Sequence, residues 1–330
     1  MPIIRFLKNW TLPVAMTVGA LSYFAYSSIP ALESTRPFAA KFVAVFQPSL
    51  IFLMLFITFC KINPHDLRLC RWHIPLLLIQ SACFALPALM LRLYPQPHYS
   101  IFVESFMLCM ICPTATAAVV VTSKLGGNAA SITTYTILIN MLNALLVPAV
   151  VPLIHPNQQL TFGLSIILIL GKVFPILFCP FLLAILVRRF MPSLQQKVLQ
   201  HSDTAFYLWA IALAVAIAVT VKSIIHSHEP ITALAIIALT SLLCCALQFS
   251  LGRTFGKKQH DSISAGQAMG QKNTIFAIWM GYTFLTPITS IAGGLYSIWQ
   301  NSFNSYQLYQ KRKLGSCAPQ SPTPTSTDKH

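Results

Sequence analysis

Gly270-Gln271-Lys272-Asn273-Thr274 lies inside an apolar segment near the C-terminus, and Cys112-Pro113-Thr114-Ala115-Thr116 lies inside an earlier one. Each stretch puts helix-breaking or strongly polar residues where a hydrophobic helix would otherwise run on. Hydrocarbon cannot satisfy the backbone N–H and C=O groups that a break sets free, so such breaks survive only where they line a cavity within protein. Interrupted spans at matching positions in two halves of a chain point to the binding site of a secondary transporter. The two stretches therefore predict an all-α polytopic membrane protein whose site lies where the interruptions meet.

Composition agrees with that reading. The chain is 55% hydrophobic and 9% charged, against about 25% charged residues in soluble domains, which excludes a soluble globule. Its net charge of +15 is no sign of a nucleic-acid partner, because the basic residues fall in short clusters between apolar spans, as membrane topology requires. Apolar stretches of about 20 residues, enough to cross a bilayer, number ten. They lie near 10–30, 38–60, 73–94, 100–123, 129–153, 161–187, 203–221, 231–251, 262–285 and 286–306, the last two divided at Leu285-Thr286-Pro287. The first apolar run exceeds the core of a signal peptide, about 7–15 residues, and is read as a retained helix.

Lysine and arginine set the orientation. With the N-terminus inside, cytoplasmic segments carry Arg5 and Lys8; Lys61, Arg68 and Arg71; Lys124; Arg188, Arg189 and Lys197; Arg253, Lys257 and Lys258; and Lys311, Arg312, Lys313 and Lys329, sixteen in all. Outer segments carry four: Arg36, Lys41, Arg92 and Lys222. That bias predicts a multi-pass protein of the cell membrane with both termini in the cytoplasm. Ten spans divide as five and five, 1–160 and 161–313, with the fourth and ninth interrupted. An odd number per half inverts one repeat against the other, the arrangement that supports alternating access. Residues 314–330, rich in Pro, Ser and Thr, are expected to form a disordered cytoplasmic tail.

Three motifs then carry a family resemblance. Cys112-Pro113 with Thr114-Ala115-Thr116-Ala117, followed by Gly127-Asn128 at the next span, resembles the first crossover of the bile acid:sodium symporter family. Gly270-Gln271-Lys272-Asn273-Thr274 is similar to its second crossover, and Leu295-Tyr296-Ser297-Ile298-Trp299-Gln300-Asn301 to its last helix. The resemblance implies a core domain of spans 3–5 and 8–10 and a panel of spans 1, 2, 6 and 7. Substrate then binds between them, at Thr114, Thr116, Lys272, Asn273, Thr274, Gln300 and Asn301. Helix breaks expose N-terminal N–H groups and a positive dipole end, which independently favours a small organic anion at those positions.

The family's sodium ligands do not carry over. The positions that the resemblance assigns to sodium fall on Ala118, Val119, Ile132, Thr136 and Ala268, and a glutamine ligand falls on Lys272. Only Thr136 among the first five has a donor oxygen in its side chain, so sodium coupling is doubtful. Lys272 stands where a cation and its carboxylate once paired, and is expected to replace the ion. Glu104, deep in span 4, is its expected carboxylate partner, with the intramembrane Lys172 a competitor or a snorkelling residue. No other cofactor or metal is expected. Cys83, Cys109, Cys112, Cys179, Cys244 and Cys245 read as small packing residues, and Cys109-x-x-Cys112 has no second ligand pair.

Other functions fit less well. A sodium symporter with a displaced ion site is the nearest alternative. An intramembrane enzyme lacks the zinc, acid–base and nucleophile motifs, and seven acidic residues give it little to work with. A channel would show a filter repeat or charged rings, and none is present in the sequence.

Overall fold

Apolar runs that must satisfy their own backbone in lipid coil into helices, and every regular element among the described residues is helical. The computed structural model describes residues 11–316 apart from 63, 64, 66, 96, 157, 158, 201–203 and 228. The first part of the chain holds α1 (Thr11–Ser28), a 3-10 turn (Pro30–Thr35), α2 (Arg36–Cys60), α3 (His73–Leu93), α4 (Pro97–Ile111), α5 (Ala118–Leu125) and α6 (Ala129–Ile154). After these come α7 (Phe162–Leu177), α8 (Cys179–Phe190), α9 (Pro192–Gln200), α10 (Thr204–Ile225) and α11 (Ile231–Lys257). The last are α12 (Ser262–Gly270), α13 (Thr274–Phe284), a 3-10 turn (Pro287–Thr289) and α14 (Ser290–Ser316).

Among the described residues, five helices are long and apolar enough to cross a membrane, and α7 with α8, bent by 42°, makes a sixth if the pair is one span. The ranges 100–123 and 262–285 are each two short helices, interrupted where the crossover motifs lie. A third interruption corrects the reading of 161–187 as one continuous span. Pro175 and Pro180 bring no N–H to the helical ladder, so two of its hydrogen bonds are missing on either side of Phe178, where the run bends. At the other end, α14 runs to Ser316, past the expected boundary at 313. The rest of the expected tail, 317–330, and the basic Arg5 and Lys8 lie outside the described residues.

The helices pack in two groups. In one, α2 lies against α7, α8 and α10, and α10 pairs with α1. In the other, α3, α4, α5, α6, α11, α12, α13 and α14 pack among themselves. The groups meet where α7 lies along α6 and where α10 touches α13 and α14. One apolar core runs across that boundary through Leu55, Leu108, Val147, Leu177 and Phe276; a second fills the larger group around Trp72, Tyr135, Ala268 and Tyr296. Two glycines are required by this packing. Gly126 holds φ +88 in the turn between α5 and α6, a left-handed conformation that suits a residue without Cβ. At Gly252 a Cβ would stand 2.3 Å from the Ala265 carbonyl oxygen, so α11 and α12 touch backbone to backbone.

Candidate functional site at the helix crossover

The two interruptions cross each other as extended backbone. Thr114 and Lys272 form an isolated antiparallel bridge. Ala115 N–H donates to the Gln271 carbonyl at 2.8 Å, and Asn273 N–H donates to the Pro113 carbonyl at 2.8 Å. Each break thus satisfies part of the other's freed backbone, which is why neither needs water or lipid to do so. The two half-helices that enter the crossing, α4 and α12, bring their carbonyl ends to it. Those that leave, α5 and α13, begin there with their N–H ends.

A helix end leaves up to four carbonyls without intrahelical partners, and side chains cover those of α4 from three directions. Gln248 Nε2 on α11 donates to the Cys109 carbonyl at 3.1 Å. Gln80 Nε2 on α3 donates to the Met110 carbonyl at 2.8 Å, and Asn143 Nδ2 on α6 to the Ile111 carbonyl at 2.6 Å. The Lys272 ammonium shares the Met110 carbonyl, at 3.3 Å. A cation belongs at this end, where the helix dipole is negative. On α12, the Thr114 hydroxyl donates to the Ala268 carbonyl at 2.6 Å and the Tyr296 hydroxyl to the Gly270 carbonyl at 2.8 Å.

Five of the seven residues expected at the site are buried here: Thr114, Lys272, Asn273, Thr274 and Gln300. Gln300 clasps the break as a neighbouring strand would, accepting from Lys272 N–H at 2.7 Å and donating from Nε2 to the Lys272 carbonyl at 3.0 Å. Asn273 caps α13, its Oδ1 accepting from Phe276 N–H at 3.2 Å. Thr274 N–H donates to the Lys272 carbonyl at 3.0 Å. Thr116 and Asn301 are half-buried; Asn301 donates to the Ser297 carbonyl at 2.6 Å.

Glu104 is not at the crossover. Its carboxylate, 1% exposed, lies 3.1 Å from His155 Nε2 and accepts from Thr286 N–H at 3.0 Å. Lys272 therefore meets a carbonyl where a carboxylate was expected, because α4 turns Glu104 toward the far ends of α6 and α13. Thr136 spends its hydroxyl on the Ile132 carbonyl at 2.8 Å, one turn back on its own helix. Ala118, Ile132 and Ala268 share one apolar cluster, with Val119 against it. Among the described residues, no group of three or more His, Cys, Asp and Glu side chains is placed to hold a metal.

Sequence reasoning missed the amides. Gln248, Gln80 and Asn143 close the end of α4, and none of them stands among the expected site residues. Each is an uncharged polar residue within an apolar run, and in lipid such side chains are used to bond across helices. That signal was available in the sequence.

No curated protein matches the chain significantly. The model of the SBF-like CPA transporter family matches residues 20–293, well over half of the chain and both crossovers, so the chain belongs to the SBF-like CPA transporter family.

Proposed function

We infer that this chain is a secondary transporter of a small organic anion, working by alternating access, with Lys272 as a built-in cation. The family is one of transporters, and with the apolar helices this makes the chain a multi-pass membrane protein. Transport of this kind needs no catalytic residue, and none is assigned. The finer reading takes the bent and broken helices as parts of ten spans in two inverted five-helix repeats, in the cell membrane, with both termini cytoplasmic. The groups packed through α2 and through α4 then act as panel and core.

One observation carries the reading: a buried ammonium sits at the meeting point of two interrupted helices. An unpaired lysine at mid-membrane costs about 2.5–3.5 kcal/mol on insertion scales, so its presence at the crossover rather than elsewhere calls for a use. The N–H ends of α5 and α13 favour negative charge, and the Lys272 ammonium, when protonated, adds a positive charge behind them. At 1% exposure Lys272 does not itself meet solvent. Thr116 and Asn301, on the half-exposed rim, make the polar contacts to the anion, and Lys272 acts on it through a low-dielectric interior where charge reaches further than in water.

Independence from sodium is supported by the apolar cluster that holds Ala118, Ile132 and Ala268. Methyl and isobutyl-like groups packed together offer no oxygen to a hard cation, which prefers oxygen donors. The test is a thermal-shift panel of organic anions on the purified chain, in sodium chloride and in choline chloride. At least one anion is expected to raise the unfolding midpoint equally in both salts. Stabilisation seen only with sodium would return the chain to the sodium symporters.

A further inference from the structure

Away from the crossover, Glu104 makes the one ion pair among the described residues in which a carboxylate is buried. Its side chain is 1% exposed, whereas that of His155 is 40% exposed. Both partners of the carboxylate sit where a proline ends a helix. His155 closes α6 just before Pro156, and Thr286 comes after α13 just before Pro287; a residue before proline is turned out of the helical conformation. His155 Nε2 lies 3.1 Å from Oε1, and Thr286 N–H donates to Oε2 at 3.0 Å. One carboxylate thus ties α4 to the end of α6 and to the turn between α13 and α14. That turn packs on through the buried Ser290, whose hydroxyl lies 3.3 Å from that of Ser223 on α10.

No Lys or Arg pairs with Glu104 among the described residues. Around α4 pack α3, α11, α13, α14 and the second 3-10 turn. At this end of them, Arg92 on α3 is exposed, and the Tyr282 hydroxyl on α13 is met by the Lys222 ammonium of α10 at 3.3 Å. Lys172 on α7 lies over the Phe284 ring, 5.9 Å from its centroid, and so does not compete for this carboxylate. Arg253 and Lys257 on α11, and Lys311 and Lys313 on α14, stand at the opposite ends of their helices. Cys83, Cys244, Cys245 and Tyr296 lie in or against the apolar cluster around Ala268, and His73 is at the other end of α3. Among the described residues, His155 is therefore the one titratable group that meets Glu104.

We propose that Glu104 and His155 form a proton-binding site, distinct from the crossover, whose proton clasps the outer ends of α4, α6 and α13 together. With both ring nitrogens protonated, His155 is a cation and the pair as a whole is neutral. When that proton passes from the half-exposed ring to water, Glu104 is left a buried anion without a counter-charge. Taking away one partner of a buried pair is strongly destabilising, and the carboxylate recovers its solvation only where water reaches it. Water reaches it when the turn at Pro287–Thr289 or the end of α6 moves away. The clasp is therefore shut with the proton bound and open without it, and histidine is the side chain suited to such a change near neutral pH. In the orientation inferred above, outer protons then decide whether the crossover is open to that side. That consequence rests on the proposed transport cycle, whereas the clasp itself stands on the contacts alone.

The test is thiol labelling of the full-length chain in detergent, on a background without other cysteines and carrying Ser290→Cys. A small charged methanethiosulfonate is the reagent. At each pH its rate is divided by that for Ser227→Cys, in the turn between α10 and α11, which removes the reagent's own dependence on pH. From about pH 5.5 to about pH 8.5, across the range where histidine titrates, the ratio is expected to rise tenfold or more. His155→Lys carries an amine that stays charged over that range and should hold the ratio low throughout. His155→Gln, never charged, should hold it high throughout, and Glu104→Gln, with no charge to match, should make it independent of pH. His155 is half-exposed, so its variants are expected to fold even if Glu104→Gln does not. A ratio that is flat with pH in the parent, or that still climbs in any of the three variants, overturns the proposal. None of these outcomes involves Lys272 or an anion, so the clasp can fail while the crossover reading stands, and the reverse.

Discussion

Lys272 is held by its backbone as firmly as by its ammonium. Gln300 satisfies both its N–H and its C=O, so this one side chain stands in for a missing strand neighbour at a buried break. Gln300→Ala leaves the buried Lys272 N–H unpaired, at about 1–3 kcal/mol, and its C=O with Thr274 N–H alone. The expected result is a fall of several degrees in the thermal-unfolding midpoint of the purified protein, with Lys272→Met close to the parent by the same measure. An unchanged midpoint in Gln300→Ala would show that water or another group takes over and that Gln300 is free for substrate. The Lys272 ammonium has only the Met110 carbonyl within hydrogen-bonding distance among the described residues, a weaker tie than the carboxylate that sequence reasoning assigned to it. With only a neutral carbonyl as partner, Lys272 has no bound carboxylate to compete with an anion.

At the scale of elements, close approach between helices is what fixes the crossover. The backbone contact at Gly252 holds α12 against α11, and a Cβ at Gly270 would stand 2.4 Å from the Phe249 ring. Gly252→Ala would press a methyl into main chain that has nowhere to go, so it is expected to prevent recovery of folded protein, or to lower the midpoint well below the parent's. Gly171→Ala is the control. Nothing lies within 4 Å of its Cβ position, and alanine in a helix interior is favoured over glycine by about 1 kcal/mol, so its midpoint should match or exceed the parent. Size-exclusion recovery and thermal unfolding of the two variants check both expectations.

The breaks were legible in the sequence because their residues are ones that apolar helices avoid: Pro113 in one, and the Gln271-Lys272-Asn273 run in the other. Gly270 and Asn273 also mark a helix end and a helix start by their own chemistry. What closes the breaks was not legible. Gln248, Gln80 and Asn143 come from α11, α3 and α6, and which carbonyl each reaches depends on how those helices rotate and pack. The same holds for Glu104. Its depth in span 4 could be read, but the direction in which α4 points it could not. The bend at Phe178 was overlooked for a simpler reason, since Pro175 and Pro180 sit in a run apolar enough to pass as one span.

For the whole molecule, the proposed inverted arrangement makes a topological prediction. The turn between α10 and α11 should face outward and α9 inward. Ser227→Cys and Ser193→Cys, each on a background without other cysteines, test this with a membrane-impermeant maleimide applied to intact cells. Labelling of the first but not the second is expected, and the reverse pattern would invert the assigned orientation. Charge at the two faces follows the same logic. Arg188 on α8 donates to the carbonyls of Cys60, the last residue of α2, and of Ile62 just beyond it, so a basic residue binds this helix end, which the proposed orientation puts on the cytoplasmic side.

Alternating access around a tethered cation is the central claim, and anion counterflow in proteoliposomes tests it most directly. The anion that stabilises the parent in choline chloride is loaded inside vesicles, and exchange of external labelled anion is followed without sodium. Parent protein should exchange the anion, and Lys272→Met and Lys272→Gln should not, while both variants keep the helical content of the parent. If Lys272→Met exchanges the anion as fast as the parent at every pH tested, Lys272 is a structural lysine and the account is contradicted.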